Sequence, residues 1–300
     1  MKYGLFLFCF WVSFAQESLD RSSENYFWSN SFQLPQEGLI AAKNCYIRSE
    51  PSTKSSVIDS LQTGFPIQIL EETKANLTLK GLNLPWILVS FVKNNQLQKG
   101  YLWKGFLAIG SCVFDDKWNF ITSVERKYTK TVQEVDYQYE RVFYDFKTKI
   151  YDSEARILGE KVFSHPVSEN YYVTNSVIPN WGLQNVTCVY RLAFNGESCG
   201  VPTEEHYLFW NGIQLENLLT KSSMGDANMY YHTETFIFPN EKGGLKNCIQ
   251  KIITTAENTD ENGDSSEFLV TKSTEFYSWD GKKAVLTKTS KPKTSKEKWN

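Results

Sequence analysis

Apolar and polar side chains alternate along much of this chain, and this alternation restricts the folds that the chain can adopt. In the stretch "MYYHTETFIFP" the residues that share one face of an extended strand are Tyr230, His232, Glu234, Phe236 and Phe238. The dipeptides Asn-Gly and Asp-Gly, which favour two-residue hairpin turns, begin at Asn195, Asn211, Asn262 and Asp280. Period-two strands separated by hairpin turns predict an all-β fold of antiparallel sheets.

One segment allows a second interpretation. In "LKNCIQKIITTAEN" the residues that would share one face of a helix are Leu245, Cys248, Ile249, Ile252, Ile253 and Ala256. The β-branched run Ile-Ile-Thr-Thr and the turn residues that follow favour a strand instead. We therefore expect a strand here.

Length and composition exclude some classes of protein. The chain has 300 residues, which is enough for one large domain or two ordinary ones. Hydrophobic residues make up 41% and aromatic residues 15%, so the chain can form a core and is not wholly disordered. The formal net charge of −2 provides no general attraction to nucleic acid, and we expect no nucleic-acid partner.

The first fifteen residues, "MKYGLFLFCFWVSFA", have the pattern of a secretory signal peptide. One lysine precedes an apolar run from Leu5 to Phe14, and Ser13 and Ala15 are the small residues expected before cleavage at Gln16. No later run approaches about 18 apolar residues, so we expect no transmembrane segment after signal removal. The pattern predicts a periplasmic or secreted protein.

Residues 40–112 contain an ordered series of short strands and turns. The segments read as strands are "CYIRS", "VIDSL", "FPIQILEE", "WILVSFV" and "YLWKGFLAIGSC". The segments "EPSTKSS" and "QTG" provide turn chemistry, and "TKANLTLKGLNLP" is interpreted as a loop insertion. Five short strands in about 70 residues predict a small barrel. The preceding residues 16–39 are polar with scattered aromatic residues and are interpreted as a lead-in segment.

The order of residues in this segment resembles that of the bacterial SH3-like (SH3b) domain. The residues that carry the resemblance are Arg48, Pro51, Ser52, Ser55, Val57, Ile58, Leu61, Gly64, Trp86, Val89, Gly100, Tyr101 and Trp103. The segment departs from the family pattern in its long insertion, and at Leu102 and Trp103, which stand where the family has "GYV". The resemblance implies an SH3-like barrel in an exported or cell-wall protein, with a peptidoglycan peptide or a protein as partner.

Aromatic side chains are the candidate ligand-binding residues of this barrel, because rings at loop mouths can cover a peptide or a sugar. The candidates are Tyr46, Trp86, Tyr101, Trp103 and Phe106. The alternative is that these rings only fill a small barrel that has few other ways to bury apolar area. Tyr101 and Trp103 alternate along the closing strand and share a face opposite to Leu102, and we expect at least one of the two to be accessible.

Five cysteines remain after removal of the signal peptide: Cys45, Cys112, Cys188, Cys199 and Cys248. In an oxidising compartment such cysteines pair, and the odd number leaves one unpaired within the chain. Cys45 and Cys112 lie at the two ends of the barrel segment, and Cys188 and Cys199 flank a predicted hairpin. These are the two candidate disulfides, with buried free thiols as the alternative.

Patterns of a catalytic or metal-binding site are weak. Cys199 in "GESCGVP" has His206 seven residues later, but the following "GVPTEE" indicates a turn and not the helix start that favours a thiolate nucleophile. His232 shares a strand face with Glu234, whereas the other two histidines of the sequence lie elsewhere, and a metal site needs three or four convergent ligands. We expect no catalytic residue, no metal and no cofactor.

An acidic turn, "TDENGDSSE", has Asp260, Asn262 and Asp264 at alternate positions, as calcium loops do. The positions that require glycine and glutamate hold Ser265 and Thr271. We interpret the segment as a hairpin tip.

The remaining chain completes the predicted organisation. Residues 113–287 predict a larger antiparallel sheet or sandwich-like domain of no recognised family, and residues 288–300 carry five lysines and predict a basic disordered tail. The sequence thus predicts an exported, envelope-associated binding protein with an SH3-like module. The alternative is a cell-wall hydrolase whose catalytic domain is residues 113–287, and the absence of nucleophile and metal patterns argues against it.

Overall fold

The computed structural model describes residues 25–28, 34–135, 137–167, 171–196, 198–260, 263 and 265–298. Over these residues the protein is all-β, which confirms the predicted fold class. The helices of the described part are two short 3-10 turns, Asn25–Trp28 and Lys104–Phe106. Neither has the length and apolar content needed to span a bilayer. The signal peptide expected over the first fifteen residues lies outside the described residues.

Six strands form the first antiparallel sheet, in the order β1-β4-β5-β6-β2-β3. They are β1 (Gln36–Leu39), β2 (Asn44–Arg48), β3 (Val57–Gln62), β4 (Pro66–Leu79), β5 (Leu82–Lys93) and β6 (Gln96–Trp103). The sheet curls into a half-barrel, so inward-facing side chains such as Ile47, Val89 and Leu102 are fully buried. This sheet is the small barrel-like unit that the motif order indicates.

A long β-hairpin replaces the loop expected at "TKANLTLKGLNLP". β4 continues to Leu79 and β5 begins at Leu82, and the turn residues Lys80 and Gly81 have φ angles of 55° and 79°. The backbone N–H of Lys127 donates to the carbonyl oxygen of Lys80 at 3.0 Å. The tip of the hairpin therefore rests against the second sheet. The loop interpretation was wrong because the polar residues of this segment alternate on the exposed face of paired strands.

The second sheet has four antiparallel strands in the order β10-β9-β8-β7. They are β7 (Gly110–Phe114), β8 (Trp118–Gln133), β9 (Gln138–Tyr151) and β10 (Ile157–Pro166). The expected boundary after residue 112 falls within β7, so the closing segment "YLWKGFLAIGSC" contributes to two sheets. Its bend is the 3-10 turn Lys104–Phe106, where the buried Lys104 ammonium pairs with Glu72.

The third sheet has nine antiparallel strands, from β11 to β18 in sequence order, with β19 beside β17. They are β11 (Tyr171–Pro179), β12 (Cys188–Gly196), β13 (Thr203–Trp210), β14 (Leu215–Asp226), β15 (Tyr230–Ile237), β16 (Cys248–Asn258), β17 (Glu267–Trp279), β18 (Ala284–Thr289) and β19 (Lys293–Lys298). The segment with two interpretations forms β16, which confirms the strand.

One hydrophobic cluster connects all three sheets. It contains Trp103 from the first sheet, Phe146 from the second and Phe194 from the third. Phe27 and Trp28, within the expected lead-in segment, are also buried in it, and Trp28 Nε1 donates to the carbonyl oxygen of Leu107 at 3.2 Å. The lead-in segment therefore supplies two buried core residues and also forms the edge strand β1.

The expectation of a disordered tail over residues 288–300 is wrong for Lys293–Lys298. These residues form β19, which pairs with β17. The Lys296 ammonium lies 3.1 Å from a carboxylate oxygen of Glu267 on β17. The expectation considered the charge of the tail alone, whereas acidic side chains of the neighbouring strand compensate that charge.

Candidate functional site

Two of the five candidate aromatic residues lie in the interior. Trp86 and Trp103 face each other across β5 and β6, and they are 4% and 2% exposed. Trp103 Nε1 donates to the carbonyl oxygen of Leu77 at 2.9 Å, and its ring packs edge-on against Phe106 with centroids 5.2 Å apart. The β4–β5 hairpin thus covers Trp103, and neither tryptophan is positioned to contact a ligand.

The other three candidates retain accessible surface. Tyr46 on β2 is 55% exposed, and Tyr101 on β6 is half-buried at the point where β6 pairs with Arg48 of β2. Phe106 is half-buried against Trp103. Tyr101 and Trp103 therefore lie on the face of β6 that points away from the barrel core. The β4–β5 hairpin covers this face at Trp103 and leaves it partly open at Tyr101. Tyr46 and Tyr101 stay candidate contact residues.

A large cleft lies beside the first sheet, at a position that the aromatic residues did not indicate. It has a volume of about 680 Å³ and lies where an edge strand of each sheet comes to the surface. These edges are β1, β7 and β11, and β7 and β11 pack beside each other. The residues that these strands contribute to the cleft are Gln36, Glu37, Gly38, Leu39, Gly110, Ser111 and Asn175.

Edge strands carry backbone donors and acceptors on the side that no neighbouring strand covers. Among the described strands, β1 pairs only with β4, through a register that joins Glu37 to Gln68. At the end of β1 the Ala108 N–H donates to the carbonyl oxygen of Leu39 at 2.9 Å, so the open part of this edge lies before Leu39. An extended peptide placed along such an edge gains main-chain hydrogen bonds from the sheet, and alternate side chains of the peptide enter the neighbouring pockets. The cleft at β1 therefore includes a short strand edge that an extended chain can pair with.

An exposed apolar pair stands at the mouth of the cleft. Val92 on β5 and Leu97 on β6 are direct cross-strand partners, and they are 62% and 69% exposed. Both line the cleft, as does the buried Phe91. Two solvent-exposed aliphatic side chains at the mouth of a cleft can pack against an apolar group of a ligand.

The hairpin that carries this pair is fixed to the barrel by charge. The Lys93 ammonium lies 2.5 Å from a carboxylate oxygen of Asp59 on β3 and donates to the carbonyl oxygen of Ser60 at 2.9 Å. The hydrogen bond from Lys93 holds the pKa of Asp59 below its usual value. The pair therefore holds the β5–β6 hairpin against β3 at neutral pH.

One polar atom beside the cleft lacks a partner. Asn175 on β11 lines the cleft, and its Nδ2 is buried with no hydrogen-bond partner in the described part of the chain. The Cys112 thiol lies close to this amide. Burial raises the pKa of Cys112 to about 11, and the interaction with Asn175 acts in the opposite direction. Sulfur is a weak hydrogen-bond acceptor, so the thiol does not satisfy the amide. A buried amide donor without an acceptor costs about 1–3 kcal/mol. The nitrogen itself is buried, so an oxygen of a ligand in the cleft reaches it only when the Asn175 side chain turns toward the cleft.

The two cysteine pairings expected from the sequence are not formed. All five described cysteines are free thiols. Cys45 and Cys188 are buried among apolar side chains, Cys112 is half-buried on β7, and Cys199 is exposed. Burial raises the pKa of Cys45 and Cys188 to about 12, which suits buried thiols with a packing role. The alternative of buried thiols therefore describes Cys45 and Cys188.

The residues considered for catalysis or metal binding are distributed over the third sheet. Cys199 lies in the turn between β12 and β13 and not at the start of a helix. Glu234, which shares a strand face with His232 at 3.5 Å, is also 2.8 Å from the Lys251 ammonium. Sequence reasoning missed His165, which contacts His206 although the two histidines belong to different sheets. No local pattern in the sequence signals that contact.

A comparison with known families identifies the first sheet. Residues 43–108 match the family model of the bacterial SH3 domain, and this confirms the resemblance seen in the motif order. The match covers the strands from β2 to β6 and the 3-10 turn that follows them. No curated protein and no solved structure matches the chain. The remaining two sheets have no recognised family.

Proposed function

We propose that this protein is an exported binding protein that holds an extended cell-wall peptide in the cleft beside its bacterial SH3 domain. The domain match at residues 43–108 supports a peptide-binding module, because domains of this family bind peptide and protein partners. The observation that carries the location is the cleft itself, where the edge strand β1 meets the unpartnered Asn175 amide. The peptide backbone lies along β1, and the Asn175 side chain turns toward the cleft to donate a hydrogen bond to one of the peptide's carbonyl oxygens.

Leu97→Asp tests this proposal, because it places a charge at the cleft mouth. Co-sedimentation of the full-length chain with purified peptidoglycan measures binding. We expect the variant to bind at least about tenfold more weakly than the wild type, which corresponds to about 1.4 kcal/mol. Leu97 is 69% exposed, so the melting temperature is expected to change little.

Ile213→Asp is the matched control, because Ile213 is an equally exposed aliphatic residue in the turn between β13 and β14. It is expected to bind like the wild type. Failure of the wild-type chain to bind peptidoglycan would overturn the cell-wall peptide as ligand. Equal weakening by Leu97→Asp and Ile213→Asp would overturn the cleft as its location.

Asn175→Leu separates binding from stability. The change removes a buried donor that has no partner and replaces it with an apolar group of similar size, so the free energy of unfolding is expected to rise by about 1 kcal/mol. Affinity for peptidoglycan is expected to fall, because the ligand loses its hydrogen-bond donor. Denaturant titration and co-sedimentation measure the two effects. A variant that gains stability and retains full affinity would show that Asn175 has no part in binding.

A further inference from the structure

Three potential metal ligands converge between the second and third sheets. His165 on β10 approaches Glu204 and His206, which are two residues apart on β13 and share a strand face. One donor atom from each side chain lies within 4.8 Å of the other two. The closest separations are 3.0 Å from His165 Nε2 to Glu204 Oε2 and 3.1 Å from His165 Nδ1 to His206 Nε2.

The buried imidazole of His165 is not fully satisfied by these neighbours. Its side chain is 3% exposed, and its Nδ1 has a hydrogen-bond partner in His206. Its Nε2 has none in the described part of the chain, although Glu204 Oε2 is 3.0 Å away, because the ring nitrogen does not point at that oxygen. A buried ring nitrogen that lies beside a carboxylate oxygen without a hydrogen bond to it keeps its lone pair available to a cation.

Both imidazole rings of the cluster pack against phenylalanine side chains. The His165 ring stacks on Phe194 at 4.5 Å, and the His206 ring stacks on Phe163 at 4.6 Å. Burial, together with the neighbouring His165, lowers the pKa of His206 to about 3. Burial is the largest single influence on the Glu204 carboxyl and raises its pKa, but the interactions with His165, His206 and Arg141 together outweigh burial, and the pKa is lowered.

We propose that His165, Glu204 and His206 form a transition-metal site, with Zn²⁺ as the preferred ion. Two imidazoles and one carboxylate are nitrogen and oxygen donors of the kind that Zn²⁺ binds, whereas Ca²⁺ and Mg²⁺ require mostly oxygen ligands. Three protein ligands leave a fourth tetrahedral position for water. The Glu204 side chain is 32% exposed, and this opening gives the ion a path from solvent. The site is independent of the peptide cleft, which its residues do not line.

Metal titration of the full-length chain tests the site with the ion alone as probe. The protein is stripped with a chelator and titrated with Co²⁺, which reports four-coordinate binding by its visible absorption, and then with Zn²⁺. We expect one equivalent of Co²⁺ to bind and one equivalent of Zn²⁺ to displace it. Zn²⁺ is also expected to raise the melting temperature, because the folded state alone brings the three ligands together.

Glu204→Gln is the main variant, because Glu204 is partly exposed and the change preserves its size. We expect its Zn²⁺ affinity to fall by at least about tenfold, since the loss of a direct ligand exceeds the effect of outer partners. His206→Gln is the second variant, with the same expectation. Glu234→Gln is the control, because Glu234 also lies beside a histidine but has no third ligand near it in the described part of the chain.

Metal affinities are compared only for variants whose metal-free melting curves agree with that of the wild type. This control distinguishes the loss of a metal ligand from misfolding. An affinity that falls in Glu204→Gln and persists in Glu234→Gln would support the site. Absence of saturable binding to the wild-type chain would overturn it. Binding that survives both Glu204→Gln and His206→Gln would also overturn it, because the ion would then be held elsewhere.

Discussion

Trp103→Ala is expected to lower the free energy of unfolding by about 3–5 kcal/mol, which is the cost of removing a buried tryptophan side chain. The indole is 2% exposed and donates a hydrogen bond to the carbonyl oxygen of Leu77. A Cβ on Gly105 would lie 2.3 Å from the Trp103 ring, which shows how closely the chain packs around it. Its loss leaves a cavity under the β4–β5 hairpin and an unsatisfied carbonyl. Denaturant titration measures the effect.

Tyr101→Ala is the control for this result, because Tyr101 lies two residues earlier on the same face of β6 and is half-buried. It is expected to cost clearly less than Trp103→Ala. Equal costs would show that the face of β6 is uniformly packed. A Trp103→Ala variant with wild-type stability and weaker peptide binding would contradict the interior position of Trp103 and make it a ligand contact.

Phe146→Ala is expected to have an effect of similar size, about 3–5 kcal/mol. Phe146 is fully buried on β9, and its ring centroid lies 5.4 Å from that of Phe27 and 4.7 Å from that of Phe194. It therefore packs between the second sheet, the third sheet and the N-terminal 3-10 turn. Because the core is continuous, the variant is expected to unfold in one transition at lower denaturant concentration. Tryptophan fluorescence and far-UV circular dichroism together measure that transition.

Val162→Ala is the control, because Val162 lies on the neighbouring strand β10 and is exposed. It is expected to leave the transition almost unchanged. Two separate transitions in Phe146→Ala, with the first sheet stable to wild-type denaturant concentrations, would contradict a core that all three sheets share.

Local patterns predicted the elements of the fold. Alternation and Asn-Gly turns indicated the strands of the third sheet, and the order of residues from Arg48 to Trp103 indicated the SH3 domain. These signals depend on period two and on turn chemistry, which a single segment contains in full. The prediction of a disordered tail was wrong because Lys296 pairs with Glu267 on β17. The sequence of the tail alone does not indicate that partner.

Contacts between distant segments were beyond such patterns. The cleft joins Gln36, Val92 and Asn175, which belong to three parts of the chain. The cluster of His165 with His206 likewise joins two sheets. The face shared by Tyr101 and Trp103 was predicted correctly, but only the β4–β5 hairpin decides which end of it is covered. Tertiary packing, and not local sequence, sets each of these features.

Amide hydrogen exchange of the full-length chain, with and without a soluble cell-wall peptide, shows whether the peptide binds along β1. A peptide that lies along the edge of β1 slows the exchange of amides whose donors it engages or covers. We expect slower exchange at Gln36–Leu39, which border the cleft. Protection confined to β2 and β3 around Tyr46, with none along β1, would contradict this expectation and would place the peptide on the opposite edge of the first sheet.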